Sequence, residues 1–448
     1  MKKYDIIFVG SGHANWHAAV TLSQAGKTVA IVEKDKIAGT CTNYGCDPKI
    51  LLDGPFELLD RLKQYQGIGI SDAPKVDWSA LMDYKHKEID PLPIQMAGLF
   101  KQLGIDVLMG EGKITGEHTV SVNDQEFEAQ NIVIGTGQRA AKLNIPSQNY
   151  LHDNRDFLDL KQMPQHITFI GAGVISIEFA TMASELGATV EIVEFTDHAL
   201  GAFDQQSVAK LIQKLKSNGV QFNFNEAVTE VKKDGDQYKV LTNKERTITT
   251  DYVVDATGRI ANVENLGLEN VGIKTTRGGI VVDDHLRTAV KNIYASGDVI
   301  DKKIPRLTPT ATFESNYIAQ QVLGSTEEIK YPAIPSVVYS LPRIAQMGVT
   351  PKEAEQSPHY HTQKLPYGKQ LLFQYKNELD AEITLVFDQE NYLVGASIYG
   401  NDAPELINLI AFIIDDRLSA NQLNQKIFAF PSASIGIISL ISTMLHQD

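Results

Sequence analysis

The chain has 448 residues, more than one hydrophobic core normally serves, so its length predicts two to four domains. Hydrophobic residues make up 43% and charged residues 21% of the chain, as in ordinary soluble globular proteins. The formal net charge of −14 argues against nucleic acid or an anionic membrane surface as a partner.

The N-terminal segment MKKYDIIFVGSGH begins with two lysines and an apolar run. Gly10, Gly12, His13 and Asn15 interrupt that run before it reaches the length of a secretion signal, so we expect a cytoplasmic protein. Near the other end, the apolar stretch IGIISLISTML is about half of the ~20 residues needed to cross a bilayer. It predicts a buried or subunit-contact helix, with no membrane partner.

Two stretches of the chain repeat one plan: a hydrophobic strand, a glycine-rich turn, an amphipathic helix and a second strand that ends in glutamate. The first begins at Tyr4 and the second at Ile167. The spacing from the first glycine to the glutamate is 23 positions in both. Repeated strand-turn-helix-strand units of this kind predict two parallel-sheet nucleotide-binding folds.

In each unit the first glycine allows a tight turn, the second lets the backbone approach a pyrophosphate, and the glutamate accepts hydrogen bonds from a ribose. These residues are Gly10, Gly12 and Glu33 in the first unit and Gly171, Gly173 and Glu194 in the second. The third glycine of the usual fingerprint is replaced by Asn15 and Ser176. We therefore expect helix and strand to pack slightly further apart in each unit.

The two cysteines of the chain, Cys41 and Cys46, have four residues between them in GTCTNYGCDPKILL. A permanent disulfide is unusual in a reducing cytosol. A zinc site built on two cysteines needs His or Cys partners at characteristic spacing, and the closest histidines are His13, His17 and His86. We therefore interpret the cysteines as a redox pair.

The residues around the cysteines predict a break between two helical segments. In an ideal helix, residues five apart have Cα atoms roughly 8 to 9 Å apart, beyond the ~7 Å limit for a disulfide. Gly45 is the natural place for the chain to bend. Asp47 as a cap and Pro48 as a first helical residue then place Cys46 at a helix N-terminus, where the dipole lowers a thiol pKa.

Later in the chain, glycine follows three further predicted strands, in NIVIGTGQR (131–139), YVVDATGRIAN (252–262) and NIYASGDV (292–299), which indicates sheet edges that meet at a shared ligand. From about Pro335 the pattern becomes antiparallel. KQLLFQYKN, ITLVFD and YLVGASIYG predict a meander, and APELINLIAFIIDDRL predicts a long apolar helix. This part is expected to be a separate α+β domain with a dimer interface.

These motifs resemble the class I pyridine nucleotide-disulfide oxidoreductases, the family of glutathione reductase, dihydrolipoyl dehydrogenase and mercuric reductase. The cysteine segment, both nucleotide turns, ATGRIAN, YASGDV, RLTPTA and PSVVYSLPRIAQMGVT occur in the family's order along essentially the whole chain. The resemblance implies an α/β fold with two Rossmann-like nucleotide-binding domains, for FAD and NAD(P), and a C-terminal α+β dimerisation domain. The expected bounds are 1–148 and 265–334 for FAD, 149–264 for NAD(P), and 335–448 for the interface.

The same resemblance implies roles for individual residues. Cys46 becomes the flavin-facing sulfur and Cys41 the interchange sulfur that meets the substrate, while Lys49 and Glu178 form an ion pair beside the flavin. The implied cofactor-binding positions are Gly10, Gly12, Glu33, Thr40, Thr136, Gly137, Asp298, Thr308, Gly171, Gly173, Glu194 and Gly258.

The choice of nicotinamide cofactor is predicted from the second unit. Glu194 favours NADH over NADPH, because a carboxylate repels the 2′-phosphate of NADPH and no arginine follows it in FTDHAL. Val174 stands where an aromatic residue often gates the nicotinamide pocket.

The C-terminal motif departs from the family. Members of the family carry a His-Pro-Thr motif, followed a few residues later by Glu, near the C-terminus. This motif enters the active site of the partner subunit, where the His relays protons to and from the interchange thiol and the Glu orients the His. In IFAFPSASIGI (427–437), Phe430 and Ile435 take these two places. A general acid-base is worth about 10² to 10⁴ in rate. His446 could substitute but fits a frayed chain end better, and His13 and His17 are interpreted as packing residues or phosphate contacts.

Three hypotheses for the function follow. The first is an FAD-dependent oxidoreductase that passes electrons from NADH through a Cys41-Cys46 redox disulfide to an acceptor needing little proton relay. That acceptor is a metal ion, a reactive disulfide or another electrophile. The second is a conventional glutathione reductase-like or dihydrolipoyl dehydrogenase-like disulfide reductase. The third is a redox-sensing flavoprotein with little turnover. All three predict a homodimer with no bound metal and no nucleic-acid partner.

Overall fold

The structure is a computed structural model that describes residues 1–72 and 74–446. Its strands, in chain order, are β1 (Lys2–Val9), β2 (Val29–Glu33), β3 (Asp106–Met109), β4 (Gly112–Gly116), β5 (Thr119–Val122), β6 (Gln125–Ile134), β7 (Gln138–Ala140), β8 (His166–Ile170), β9 (Thr189–Val193), β10 (Gln221–Asn223), β11 (Val228–Asp234), β12 (Gln237–Thr242), β13 (Thr247–Thr250), β14 (Tyr252–Asp255), β15 (Arg259–Ala261), β16 (Thr275–Thr276), β17 (Gly279–Ile280), β18 (Ile293–Ala295), β19 (Ser336–Val338), β20 (Ile344–Gly348), β21 (Tyr360–Leu365), β22 (Glu382–Asp388) and β23 (Leu393–Tyr399).

The α-helices, again in chain order, are α1 (His13–Gln24), α2 (Gly39–Tyr44), α3 (Cys46–Gln64), α4 (Trp78–Ile89), α5 (Leu92–Gln102), α6 (Asn154–Phe157), α7 (Val174–Glu185), α8 (Gln205–Ser217), α9 (Thr308–Val322), α10 (Pro351–Glu355), α11 (Leu371–Tyr375), α12 (Ala403–Asp415), α13 (Ala420–Asn424) and α14 (Ala433–Ser442). Within residues 1–72 and 74–446, no helix combines the length and the apolar character needed to span a membrane.

The first sheet has the order β3-β2-β1-β6-β5-β4, with β18 paired to β6. Strands β3, β2, β1, β6 and β18 run parallel, whereas β5 and β4 add an antiparallel extension. Ile6, Ile7 and Phe8 of β1 are fully buried, as expected for a central parallel strand covered on both faces. Because β18 comes from far along the chain, this sheet is built from two separate stretches of sequence.

The second sheet, β10-β9-β8-β14, is wholly parallel. Its strands come from the part of the chain between β6 and β18, which both belong to the first sheet. An antiparallel sheet, β11-β12-β13, accompanies it. Strands β7 and β15 pair with each other. β7 follows the last residues of β6 in the first sheet, and β15 follows β14 of the second sheet, so the pair lies where the chain passes between the two sheets. The predicted α/β class with two nucleotide-type sheets is confirmed, while the predicted domain bounds stay a prediction.

The C-terminal body is an antiparallel sheet, β19-β20-β23-β22-β21, covered by α12. The predicted strands ITLVFD and YLVGASIYG and the predicted helix after them are confirmed. The prediction of a strand over KQLLFQYKN was wrong, because this segment contains α11 and the place beside β22 belongs to β21. Phe373 is buried but Leu371 and Tyr375 are exposed, so alternate residues of the run share no buried face.

Asn15 shows how the first unit manages without its third glycine. The side chain is fully buried, and its Nδ2 donates to the backbone carbonyls of Val9 at 3.0 Å and Gly10 at 2.8 Å. A Cβ added to Gly135, at the end of the neighbouring strand, would lie 2.4 Å from Asn15 Oδ1. The asparagine therefore occupies space that the turn and Gly135 leave open, and it ties the turn to the helix.

Candidate active site

A cavity of about 570 Å³ lies between the N-terminus of α1, the α2–α3 segment and the N-terminus of α9. This volume falls within the usual range for cofactor sites. Predicted cofactor-binding residues from distant parts of the chain line it: Gly10, Gly12, Glu33, Thr40, Thr136, Gly137, Asp298 and Thr308. Cys41 and Cys46 line the same cavity, so the structure brings the first glycine turn and the cysteine pair to one site.

The backbone around the first turn fits an elongated dinucleotide such as FAD. Gly10 has φ of 103°, and a Cβ there would lie 2.5 Å from the carbonyl oxygen of Gly135. Gly12 and Gly39 approach so closely that a Cβ on Gly39 would lie 2.7 Å from Gly12 Cα. The glycines therefore leave a bare backbone wall at the helix N-terminus, the arrangement that accepts a pyrophosphate.

Glu33 sits at the edge of this cavity in a fixed position. Its carboxylate accepts hydrogen bonds from Ser11 N at 3.1 Å and from Ser11 Oγ at 2.6 Å. The amides of Lys34 and Asp35 also donate to it, at 2.8 and 2.9 Å. A carboxylate held in this way can accept the hydroxyl groups of a ribose without rearrangement.

The cysteine pair spans a break between two helices, as predicted. Cys41 lies in α2, Gly45 breaks the helical path with φ of −139°, and Cys46 is the first residue of α3. The helix thus begins two residues earlier than Pro48, and Asp47 lies in its first turn instead of capping it. Both thiols are free in this structure.

Contacts between the two thiols and their neighbours make Cys46 the more acidic one. The hydrogen bond from Cys41, helped by Thr308 and by the positive charge of Lys49, lowers the pKa of Cys46 to about 6. Its Sγ lies 3.4 Å from Thr308 Oγ1. The hydrogen bond to Cys46 and burial raise the pKa of Cys41 well above its ordinary value. In the dithiol form, Cys46 therefore carries the negative charge.

Lys49 and Glu178 form an ion pair with Nζ 3.3 Å from Oε1, and both side chains are largely buried. Burial raises the pKa of the Glu178 carboxyl, and the positive charge of Lys49 opposes this. Tyr339 joins both residues, because its amide donates to Glu178 at 2.8 Å and its ring centroid lies 3.6 Å from Lys49 Nζ. The ion pair is thus held between α3, α7 and the start of the C-terminal body.

Sequence reasoning missed three residues of this region. Besides Tyr339, Arg259 lines the cavity, and burial lowers the pKa of its guanidinium. Glu314 on α9 is fully buried, pairs with Lys302 at 2.6 Å and accepts a hydrogen bond from the amide of Gly297, beside Asp298. Tyr339 lies in PSVVYSLPRIAQMGVT and Arg259 in YVVDATGRIAN, so the sequence motifs include both residues. Glu314 could have been found as a glutamate within the predicted helix that begins at Thr308.

The predicted residues of the second unit do not line this cavity: Gly171, Gly173, Val174, Glu194 and Gly258 lie around the turn between β8 and α7 and the loops beside it. Gly171 repeats the strained turn with φ of 95°. Glu194 accepts hydrogen bonds from the amides of Ala172 at 2.7 Å and Thr196 at 2.8 Å. The two turns therefore share their geometry but lie in different parts of the structure.

The C-terminal segment presents apolar side chains to solvent. Phe430 is 83% exposed and Ile427 is fully exposed, and the peptide bond before Pro431 is cis. Ser432 caps α14 by accepting a hydrogen bond from the amide of Ile435 at 3.4 Å. His446 stacks on Tyr392 at the β22–β23 turn, so it is engaged there.

His13 and His17 lie one turn apart on α1, and His13 also lines the cavity. Their ring nitrogens Nδ1 and Nε2 lie 3.1 Å apart, and Trp16 stacks on His17 with ring centroids 3.5 Å apart. Burial lowers the pKa of His13 and lowers the pKa of His17 to about 4. Both imidazoles are therefore neutral at pH 7.

The Cys46 thiol of the reduced protein is expected to ionise near pH 6, against roughly 8.5 for an ordinary thiol. We would follow thiolate ultraviolet absorbance against pH in Cys41→Ser, whose hydroxyl can donate the same hydrogen bond, and subtract the Cys41→Ser/Cys46→Ser double variant. Adding Lys49→Met should raise the midpoint because a positive charge is lost. An ordinary midpoint in Cys41→Ser would contradict the assignment of Cys46 as the thiolate.

Family models match almost the whole chain. A model described as pyridine nucleotide-disulphide oxidoreductase matches residues 4–315, and a model of the dimerisation domain of the same class matches residues 334–437. The dihydrolipoyl dehydrogenase of Bacillus subtilis (strain 168) is 32% identical over 441 residues, which cover 96% of this chain and 93% of that protein. That of Geobacillus stearothermophilus is 31% identical over 440 residues, with coverage of 96% and 93%.

Solved structures give a second comparison. The HOCl-induced flavoprotein disulfide reductase RclA from Escherichia coli matches with a TM-score of 0.88 and 25% identity, covering 98% of this chain and 100% of that one. The Cu(II) complex of the same reductase matches with a TM-score of 0.88 and 26% identity, covering 99% and 100%. The similarity therefore extends over the nucleotide-binding sheets and the C-terminal body together.

Proposed function

Because the chain belongs to the pyridine nucleotide-disulphide oxidoreductase family, we propose that it transfers electrons from NADH through FAD and the Cys41-Cys46 pair to Cu(II), in the cytoplasm. Membership makes the protein an FAD-containing NAD(P)H oxidoreductase, and the match to the dimerisation model supports a homodimer. The acceptor, the preference for NADH and the residue roles are the new parts of the proposal.

The apolar character of the C-terminal segment carries the choice of acceptor. Reducing a disulfide substrate releases a thiolate, and its departure is helped by a nearby proton donor. The side chains of Phe430 and Ile435 have no proton to give, and Phe430 projects into solvent, free to enter a partner's site. Reducing a metal ion releases no leaving group, so Phe430 and Ile435 are not expected to lower the rate of that reaction.

The electron count closes with two metal ions per cycle. FAD, when bound, supplies the two-electron relay between the nicotinamide and the disulfide. Cys41 and Cys46 then give one electron to each of two Cu(II) ions, the S–S bond re-forms, two Cu(I) ions leave, and the single thiol proton, that of Cys41, passes to solvent. A thiolate at Cys46 at neutral pH favours this step, because the thiolate and not the thiol is the form of cysteine that binds metal ions.

Within this proposal, each part of the site has a task. Gly10, Gly12 and the N-terminus of α1 hold the FAD pyrophosphate, and Glu33 holds a ribose. Thr308 and Lys49 stabilise the Cys46 thiolate, and Glu178 with Tyr339 keeps Lys49 in place. This division of roles is supported by the contacts between residues that are distant in sequence.

The structural neighbour supports a copper acceptor. RclA of Escherichia coli has been solved as a Cu(II) complex, and a mutant of it in which one cysteine is replaced by serine has also been solved with Cu(II). The preference for NADH is supported by Glu194, whose carboxylate is held by backbone amides where it would repel a 2′-phosphate.

A second candidate function is a disulfide reductase of the dihydrolipoyl dehydrogenase kind. The relatives named above, at 31% and 32% identity, carry that name. Here the proton needed by the leaving thiolate would come from solvent or from another side chain.

An acceptor panel separates these functions. We expect NADH oxidation with Cu(II) to exceed that with lipoamide or oxidised glutathione by at least about 10²-fold, the lower end of the contribution of one general acid-base. It should also exceed NADH oxidation with a quinone or with oxygen. NADPH should be the poorer donor. Formation of Cu(I), measured with a Cu(I)-specific chelator, should reach two ions per NADH. Rapid turnover of lipoamide would favour the second candidate, and no turnover of any acceptor would favour a redox sensor.

A further inference from the structure

Three side-chain atoms beside the cavity form a compact triangle of metal-ligand type. His13 Nδ1 and His17 Nε2 lie 3.1 Å apart, and Thr312 Oγ1 lies 3.5 Å from the first and 3.2 Å from the second. We propose that these three atoms bind one divalent transition-metal ion, most tightly Cu(II), at a site separate from the two cysteines. This inference does not depend on the proposed electron acceptor.

The distances match coordination of a single ion. Ligand nitrogens and oxygens lie ~2.0 to 2.2 Å from an ion such as Zn²⁺. The circle through the three atoms has a radius of about 1.9 Å, so an ion at ~2.1 Å from each lies just above their plane. Such an ion has its three protein ligands on one face and leaves the opposite face open.

The local structure explains why the ligands converge. Residues four apart in a helix lie on the same face, so His13 and His17 project from α1 in the same direction. Thr312 comes from the first turns of α9, which packs along α1. The stacked ring of Trp16 fixes the orientation of His17. Two helices packed against each other therefore hold all three ligands.

The donor set and its surroundings select the type of ion. Imidazole ligands suit Zn, Cu, Fe and Ni, and among divalent ions Cu(II) binds a given nitrogen site most tightly. The carboxylate of Asp47 acts electrostatically on His13, which favours a cation at this place. All three ligands are partly exposed, so water can complete the coordination.

The alternative is a simple hydrogen bond between two neutral imidazoles, with no metal. Across residues 1–72 and 74–446, no three His, Cys, Asp or Glu side chains are grouped to hold a metal ion. The proposed site is not such a group, because its third ligand is the hydroxyl group of Thr312 and not a His, Cys, Asp or Glu side chain. A direct binding measurement separates a metal site from a hydrogen-bonded pair.

The experiment uses the FAD-loaded Cys41→Ser/Cys46→Ser protein, in which the cysteines cannot bind metal. Cu(II) alone is titrated, and binding is followed by electron paramagnetic resonance, which reports coupling to ligand nitrogens. We expect one equivalent of Cu(II) coupled to two nitrogens. His17→Gln should raise the dissociation constant at least about tenfold and remove one nitrogen, given that even outer-shell changes cost 10- to 100-fold. Thr312→Val should weaken binding less.

The matched control is His359→Ala, which removes an exposed histidine elsewhere and should leave binding unchanged. Flavin content and circular dichroism confirm that each variant is folded. His13→Gln serves as the second ligand variant and should also lose one coupled nitrogen. Binding that is unchanged in both glutamine variants, or absent from the parent protein, would overturn the metal site.

Discussion

Replacing Cys46 with serine is expected to lower NADH-dependent reduction of Cu(II) by at least about 10³, which corresponds to roughly 4 kcal/mol of lost transition-state stabilisation. Serine cannot form the disulfide that the proposed cycle needs, and its hydroxyl stays protonated at neutral pH, whereas the pKa of Cys46 is about 6. Cys41→Ser should lose activity to a similar degree, because the two cysteines act as one unit.

The same variants provide their own control. Reduction of bound FAD by NADH, measured anaerobically as loss of flavin absorbance, should stay within about twofold of the natural protein, because the proposed NADH-binding residues around Gly171 and Glu194 are unchanged. A Cys46→Ser protein that reduces Cu(II) at the natural rate would show that electrons bypass the dithiol, and the proposed function would then fail.

The second large effect is expected when the acid-base pair of the family's C-terminal motif is introduced at positions 430 and 435. The double variant Phe430→His/Ile435→Glu should raise turnover of oxidised glutathione by about 10²-fold or more, the usual contribution of a positioned general acid-base. Phe430 is 83% exposed and Ile435 is half-buried, so neither substitution removes a fully buried side chain and folding should be preserved. Turnover of Cu(II) should change by less than about threefold, because that reaction has no leaving group to protonate.

Ile427→His is the matched control for this experiment. It adds an imidazole to the same exposed segment, three residues earlier, and should give no gain with glutathione. Equal gains in both variants would point to a general effect of charge. No gain in the double variant would mean that Phe430 and Ile435 do not explain the proposed choice of acceptor.

Local sequence patterns predicted the parts of the site that depend on short-range geometry. Gly45 was predicted to break the helix between the cysteines, and it does so. The strained turns at Gly10 and Gly171 have the positive φ angles that only glycine adopts easily. Each of these features is determined by residues within a few positions of one another.

Contacts between distant residues could not be predicted in the same way. Tyr339 covers Lys49 although about 290 positions separate them, and Glu314 supports the Gly297 backbone through tertiary packing alone. The mistaken strand at 369–377 has the same origin, because the sheet edge was taken by β21 instead. The spacing of apolar residues shows which residues can be buried, but it does not show which segment pairs with the edge strand of the sheet.

The packing of Asn15 against Gly135 has a consequence for the evolution of this turn. Any side chain at position 135 would collide with the Asn15 amide, whereas a glycine at position 15 would remove that obstacle. The two positions are therefore expected to covary among homologues: asparagine at 15 requires glycine at 135, and glycine at 15 tolerates alanine there. A search pattern that demands three glycines would pass over every sequence that has taken the first of these routes.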